Sequence, residues 1–204
     1  MEKKLLRVAV TGVFGSGKTT VSSFFMQEGI PVISCDAIVH QLLARKKTAE
    51  KIENTFGRDV VKNGAVDRKK LGKLVFSDVE KRMALEKLLH PAVFREIKKN
   101  ILDYEKKGGI IVVEIPLLFE TKSENLFNKV IVVASSPEKI KKRLKEKFQE
   151  EEIESRWRNQ IPLKQKEKKA DRVIDNSGSV EKTRRQVKQL IKELRNEEKS
   201  WKTR

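Results

Sequence analysis

The sequence has little of what staples or spans. A single cysteine, Cys35, stands among 204 residues, which excludes an intrachain disulfide and leaves no cysteine pair for a zinc or redox motif. That usage suits a reducing compartment, and a cytoplasmic location is the expectation. The two histidines, His40 and His90, fit no metal-ligand spacing with each other. Aromatic residues amount to nine Phe, two Trp and one Tyr, too few for a surface on which bases stack. The apolar run near the N-terminus, Leu5 to Val10, is interrupted by Arg7 and is too short for a signal h-region or a membrane span. No membrane partner is expected. A repeat of fixed period is also missing, which sets aside solenoid architectures.

Charge is what the chain has in excess. Charged residues make up 37% of it, against about 25% in ordinary soluble domains. Lys and Arg outnumber Asp and Glu by 46 to 29, a formal charge of +17. Nucleic acid, a membrane surface and a polyanionic small substrate would each reward such a potential. The excess is densest from Lys129 onward, with 23 basic against 13 acidic residues. Lys and Glu alternate there in the manner of solvated helix faces with i,i+4 pairs. A small anionic substrate fits that pattern better than nucleic acid, and no obligatory nucleic-acid partner is expected.

Four short β-branched runs, Leu6 to Val10, Pro31 to Ile33, Ile110 to Ile115 and Val130 to Ala134, alternate with helical patterns, and Arg172 to Ile174 makes a fifth. Apolar runs of this length suit strands buried on both faces of a parallel sheet, with helices as crossovers. Helices are expected after Gly17, near Asp36, and over 77–89, 92–106, 136–148, 150–159 and 179–195. Ser77-Asp78 and Ser136-Pro137-Glu138 read as helix starts. His90-Pro91 reads as a helix break, since the residue before proline is pushed away from αR. The stretch from Ile33 to Ile110 is far longer than one crossover needs, so a helical insertion is expected there, and a second from about Phe148 to Lys169.

Gly12-Val13-Phe14-Gly15-Ser16-Gly17-Lys18-Thr19 matches G-x-x-x-x-G-K-[ST], follows a predicted strand and opens a helix at Thr20. The glycines let successive N–H groups turn toward a phosphate, and the helix N-terminus adds partial positive charge. Gly12, Phe14, Gly15, Ser16, Gly17, Lys18, Thr19 and Thr20 are therefore candidate ATP-binding residues. Lys18 would reach the β- and γ-phosphates, and Thr19 would offer its hydroxyl to Mg²⁺.

Two carboxylates follow predicted strands. Asp36 lies at the carboxyl edge of the presumed sheet, where it could deprotonate an acceptor hydroxyl, hold Mg²⁺ through water, or simply cap the next helix. Glu114 closes the third strand and either supports the metal's water shell or is a charged residue leaving the sheet.

The ordered set of motifs resembles the dephospho-CoA kinase family from Arg7 to about Leu194. It comprises Val10-Thr11-Gly12, Gly15 to Thr20, Gly29 to Ile33, Asp36-Ala37-Ile38, Phe56-Gly57, Gly64 to Arg68, Leu71, Val75-Phe76, Arg82, Leu85-Glu86, His90-Pro91, Pro116 to Glu120, Gln160, Ala170-Asp171, Val173 to Asn176 and Gly178. The resemblance implies one α/β domain over 1–204 with a P-loop, nucleoside-monophosphate-kinase-like three-layer fold and a five-stranded parallel sheet. It further implies a CoA-binding helical insertion at about 57–107 and a lid at about 143–169. The implied reaction is transfer of the ATP γ-phosphate, with Mg²⁺, to the 3′-hydroxyl of dephospho-CoA; a monomer is a separate expectation. Asp36 matches the family's catalytic aspartate, with Lys18 and Arg143 as further catalytic residues. Arg82, His90, Pro116 and Leu117 are implied on the acceptor, Arg143, Lys147 and Arg156 in the lid, and Asn176 and Gly178 beside the adenine. By residue preference alone, Asn176 and Gly178 also suit an ordinary turn.

Two positions depart from the pattern. Ser34 replaces the first carboxylate of the family's Asp-x-Asp pair, and Lys147 replaces a second lid arginine. The alternatives are a kinase for another nucleoside or nucleotide, or a basic nucleic-acid-binding NTPase.

Overall fold

The computed structural model describes residues 4–76 and 78–202. Its strands are β1 (Leu5–Thr11), β2 (Val32–Ser34), β3 (Val61–Lys62), β4 (Ala65–Val66), β5 (Gly109–Glu114), β6 (Lys129–Ala134) and β7 (Arg172–Asp175). Its helices are α1 (Lys18–Gln27), α2 (Cys35–Leu43), α3 (Lys46–Phe56), α4 (Arg68–Phe76), α5 (Val79–Glu105), α6 (Pro137–Lys145), α7 (Glu150–Arg158), α8 (Leu163–Lys168) and α9 (Val180–Lys202). The chain divides into two compact units, one ending at Ser34 and resuming at Asn100, the other Cys35–Lys99.

The first unit is built on a five-stranded sheet in the order β2-β5-β1-β6-β7, parallel at every pairing. The five expected strands are these five. Leu6, Val8 and Val10 of β1 point to one face and pack with Val112, Ile131, Val133 and Ile174 of neighbouring strands. Val21, Phe24 and Phe25 of α1 and Val187, Leu190, Ile191 and Leu194 of α9 cover that face. On the other face Ala9, Ile111, Val113 and Val132 are equally buried. Burial on both sides is why these strands read as unbroken apolar runs. Each fully buried Val, Ile or Phe contributes about 1.5–3 kcal/mol, and together they hold β1 rigid where it runs into the glycine loop.

The second unit is helical, with a small hairpin. Leu43, Ile52, Val60, Leu71, Val75 and Leu89 form its core. Strands β3 and β4 pair antiparallel across Asn63-Gly64, both at positive φ (53° and 75°), the two-residue turn whose twist matches a hairpin. The expected helical insertion thus carries, besides its helices, a small hairpin that the Asn63-Gly64 dipeptide marks. Asp67 caps α4 by accepting from the N–H groups of Lys69 and Lys70. Asp78 accepts from the N–H of Lys81 at the start of α5, while Ser77, the other half of that expected start, lies outside the described residues. In the first unit Ser136 caps α6 as read, accepting from Lys139 N.

The expected break at His90-Pro91 does not occur. Helix α5 runs 27 residues straight through Pro91. Proline removes one helical hydrogen bond and crowds the preceding turn, at about 3 kcal/mol. Leu89, Val93, Ile97 and Ile101 recur every fourth residue and are all buried, and one such stripe outweighs a single proline on an exposed face. Local propensity loses to tertiary burial. Replacing the exposed Pro91 by Ala restores the missing N–H, so Pro91→Ala is expected to stabilise the protein by about 1–2 kcal/mol. A higher thermal midpoint in calorimetry checks this; an unchanged or lower one shows that the helix is kinked to suit proline.

Candidate active site

The loop from Gly12 to Gly17 joins the end of β1 to the start of α1. Its glycines answer to crowding as well as to backbone freedom. A Cβ on Gly12 (φ +152°) would meet the carbonyl oxygen of Val133 at 2.5 Å, and one on Gly17 (φ +93°) would collide with the amide nitrogen of Asn176. Gly17 also serves as the N-cap of α1, so the N–H groups of the first helical turn open toward the loop.

A loop that turns N–H groups inward turns carbonyls outward, and those of Gly12, Val13, Phe14 and Ser16 find side-chain donors. The Lys18 ammonium donates to Gly12 O at 3.2 Å and Val13 O at 3.1 Å. Trp157 Nε1 donates to Phe14 O at 3.2 Å. Asn176 Nδ2 donates to Ser16 O at 2.8 Å, and Arg143 reaches the same oxygen at 3.5 Å. The Ser16 hydroxyl, beside Gly12 in the loop, is buried with no partner among the described residues. A phosphate oxygen is the kind of acceptor such a hydroxyl lacks.

Thr19, next along α1, donates its hydroxyl to Glu114 Oε1 at 3.0 Å. Glu114 ends β5 and is only 4% exposed, so the expected metal-supporting acid and hydroxyl do meet. The donor set is all oxygen. It suits a hard divalent cation that keeps most of its ligands as water and phosphate. Among the described residues no three His, Cys, Asp or Glu side chains converge as a metal cage.

Asn176 follows β7 and is almost fully buried. Its N–H donates to Ala134 O at 2.7 Å, its side-chain oxygen accepts from Thr183 at 3.0 Å, and its own carbonyl accepts from Ser135 at 3.2 Å and Arg143 at 3.1 Å. Arg143 also reaches Ser135 Oγ at 3.4 Å. The Arg143 fork thus ties the phosphate loop to the loop after β7. Gly178 lies in that second loop, and its carbonyl accepts from Lys139 at 3.2 Å.

Of the other expected lid residues, Lys147 lies beyond α6 and is exposed. Arg156 on α7 pairs with Glu152 at 2.7 Å and lies over the Phe14 ring at 4.3 Å.

Pro116 and Leu117 follow β5. Pro116 O accepts from the Thr11 hydroxyl at 3.4 Å and from the Lys166 ammonium at 3.2 Å. Lys166 is wholly buried and pairs with Glu120 at 2.8 Å. Burial pushes its pKa down, and the Glu120 carboxylate opposes that shift. Neither member of this pair was singled out from sequence as functional, although Glu120 belongs to the family-like Pro116-to-Glu120 run. Asp36, Arg82 and His90 lie in the helical unit. Asp36 is exposed on the second residue of α2, Arg82 is half-buried in the first turns of α5, and the His90 ring meets Phe94 edge-on at 6.4 Å.

A strand, a glycine loop wrapped for phosphate and a helix, at the carboxyl end of a parallel sheet with a hydroxyl and an acid beside them, define a P-loop nucleotide-binding protein. The dephospho-CoA kinase family model matches residues 6–182. The chain belongs to the dephospho-CoA kinase family. It is 42% identical over 190 residues to the dephospho-CoA kinase of Bacillus cereus, spanning 91% of this chain and 95% of that one. A Thermus thermophilus crystal structure resembles it at TM-score 0.78 and 34% identity, over 94% of this chain and 99% of the other. The dephospho-CoA kinase from Campylobacter jejuni superposes at TM-score 0.67 and 30% identity, over 94% and 98%. The protein is an ATP-dependent kinase acting on an alcohol group.

The bonds of Arg143 yield a contrast with its neighbour. Arg143→Ala removes a charge-assisted donor shared by two loops, so ATP affinity should fall about tenfold or more. Lys147→Ala, on an exposed cation, should change it less than about twofold. Calorimetric titration with ATP measures both, and equal effects would mean that Arg143 does not organise the nucleotide site.

Proposed function

We propose that the chain completes coenzyme A by moving the γ-phosphoryl group of ATP onto the ribose 3′-hydroxyl of dephospho-CoA, with Asp36 as the base and Mg²⁺ at Thr19 and Glu114. The observation that carries this reading is the phosphate cradle itself, closed around a buried unpartnered hydroxyl and flanked by the Thr19–Glu114 pair. The acceptor oxygen forms a bond to the γ-phosphorus. The bond from that phosphorus to the β–γ bridging oxygen breaks, ADP leaves with the electron pair, and the acceptor's proton passes to the Asp36 carboxylate.

Lys18 now rests on two loop carbonyls. A phosphate is a stronger acceptor than either, so the ammonium exchanges them for the β- and γ-oxygens when ATP enters. A bound magnesium ion would supply positive charge to offset that of the phosphates. Thr19 and Glu114 would hold it, the acid through water.

Asp36 is the second residue of α2 rather than its cap, a first-turn position where a carboxylate also suits the helix N-terminus. Ser34, where the family's first acid stands, ends β2 in register with Glu114. The nearby acid on β5 can therefore serve in place of the missing one. Arg82, His90, Pro116 and Leu117 remain the acceptor-binding candidates. The one free thiol, Cys35, is buried, in keeping with a reducing cytoplasm, and a monomer suffices for the chemistry.

Asp36→Asn keeps size and polarity but cannot take the proton. Turnover of dephospho-CoA is expected to fall by about a hundredfold or more, with ATP affinity unchanged within about twofold. Preserved turnover in a coupled ADP-release assay would remove Asp36 from the mechanism. Lys18→Met should leave less than about a tenth of the turnover in a folded protein, because the side chain neutralises phosphate charge rather than packing a core. A folded, active Lys18→Met enzyme would contradict the role given to that ammonium.

A further inference from the structure

Phe14, the third residue of the phosphate loop, is gripped by one short stretch of chain. Its N–H donates to Gln160 Oε1 at 2.7 Å, and its carbonyl accepts from Trp157 Nε1 at 3.2 Å. Its ring meets Phe148 edge-on at 5.1 Å and lies under the Arg156 guanidinium at 4.3 Å. Helix α7 and the residue two beyond its end therefore satisfy both backbone groups of a single loop residue. The next residue, Ile161, donates its N–H to Glu120 at 2.8 Å, and Glu120 is itself fixed by the buried Lys166. Gln160 is thus held between the loop on one side and the segment after β5 on the other.

We propose that Gln160 is a positioning residue for phosphoryl transfer. By accepting the Phe14 N–H it fixes the orientation of that peptide and withdraws that N–H from phosphate, beside the Ser16 N–H that Val13 O already accepts at 3.1 Å. Trp157, holding the carbonyl of the same residue, is the second point of attachment. The side-chain type fits the task. An amide oxygen accepts the hydrogen bond without placing a carboxylate's charge beside the triphosphate, and a glutamine is long enough to reach the loop from beyond the helix end. The apolar and cationic cover on the Phe14 ring keeps water from competing for either bond. Gln160 touches no reacting atom in this scheme; it acts through Phe14. The inference rests on the kinase reading above.

The test uses the full chain, with wild-type phosphorylation of dephospho-CoA measured first. Gln160→Leu removes the acceptor, and Trp157→Phe removes the donor while keeping an aromatic ring. For Gln160→Leu, kcat/KM for ATP should fall about tenfold, while KM for dephospho-CoA stays within about twofold and the thermal midpoint within a few degrees. Trp157→Phe should move the same parameters in the same direction by a smaller factor. The double variant should fall short of the product of the two factors, since both act on one residue. If Gln160→Leu does not fold, Trp157→Phe carries the test by the same selective loss. Unchanged ATP kinetics overturns the proposal. So does a fall in the apparent affinity for both substrates together with the thermal midpoint, because that pattern belongs to a merely structural bond. Should the wild type fail to phosphorylate dephospho-CoA, the kinase reading fails instead, and ATP titration of the same variants still decides the role of Gln160.

Discussion

A loop that offers its N–H groups to a phosphate must send its carbonyls the other way, and a buried carbonyl without a donor costs about 1–3 kcal/mol. Much of this structure follows from meeting that requirement. Before nucleotide enters, Lys18 takes the carbonyls of Gly12 and Val13, the latter shared with the Ser16 N–H, Trp157 takes that of Phe14, and Asn176 with Arg143 that of Ser16. These donors come from the helix after the loop, from α6 and α7, and from the turn after β7. The loop can be pre-shaped for phosphate only when all of those elements are folded around it. Nucleotide binding is in this sense a property of the whole first unit.

The same logic explains where the glycines cannot be replaced. Gly17 stands where the Asn176 amide passes to reach Ser16 O, and Gly12 where β6 approaches the loop through Val133 O. Both glycines carry positive φ as well, but the collision with a neighbouring group is the harder constraint, since that group is itself bonded in place. The cradle is defined as much by what presses on it from outside as by its own backbone.

Behind the cradle lies a second fixed point, the buried Lys166–Glu120 pair. A wholly buried ammonium loses its hydration, and the pair is tolerable only because the remaining groups are satisfied. Lys166 adds a bond to Pro116 O, and Glu120 accepts the N–H of Ile161. The pair binds the segment after β5 to α8 and to the residue shortly before it. It gives the Pro116-to-Glu120 run a structural reason that its apolar composition does not reveal. On the other side of the cradle Glu114, beside Ser34 in the sheet, is fixed in the same way by the Thr19 hydroxyl.

The five strands of the main sheet, the phosphate loop and the helix that opens at Lys18 were legible in the sequence, because each is specified by neighbouring residues: continuous β-branched runs, glycines at fixed spacing, a lysine and a hydroxyl where the helix begins. The Asn63-Gly64 hairpin was legible on the same grounds and was passed over. Helix α5 was misread at Pro91 because local rules weigh one proline against its neighbours, while the burial of Leu89, Val93, Ile97 and Ile101 outweighs it over the length of the helix. What only the tertiary structure decided is which side chains far apart in sequence hold the loop. Gln160 and Trp157 on Phe14, Arg143 and Asn176 on Ser16, and Glu114 on Thr19 are joined by hydrogen bonds whose partners lie from 95 to 160 positions apart. A hydrogen bond requires a distance near 3 Å and a direction, and residue type and spacing along the chain encode neither.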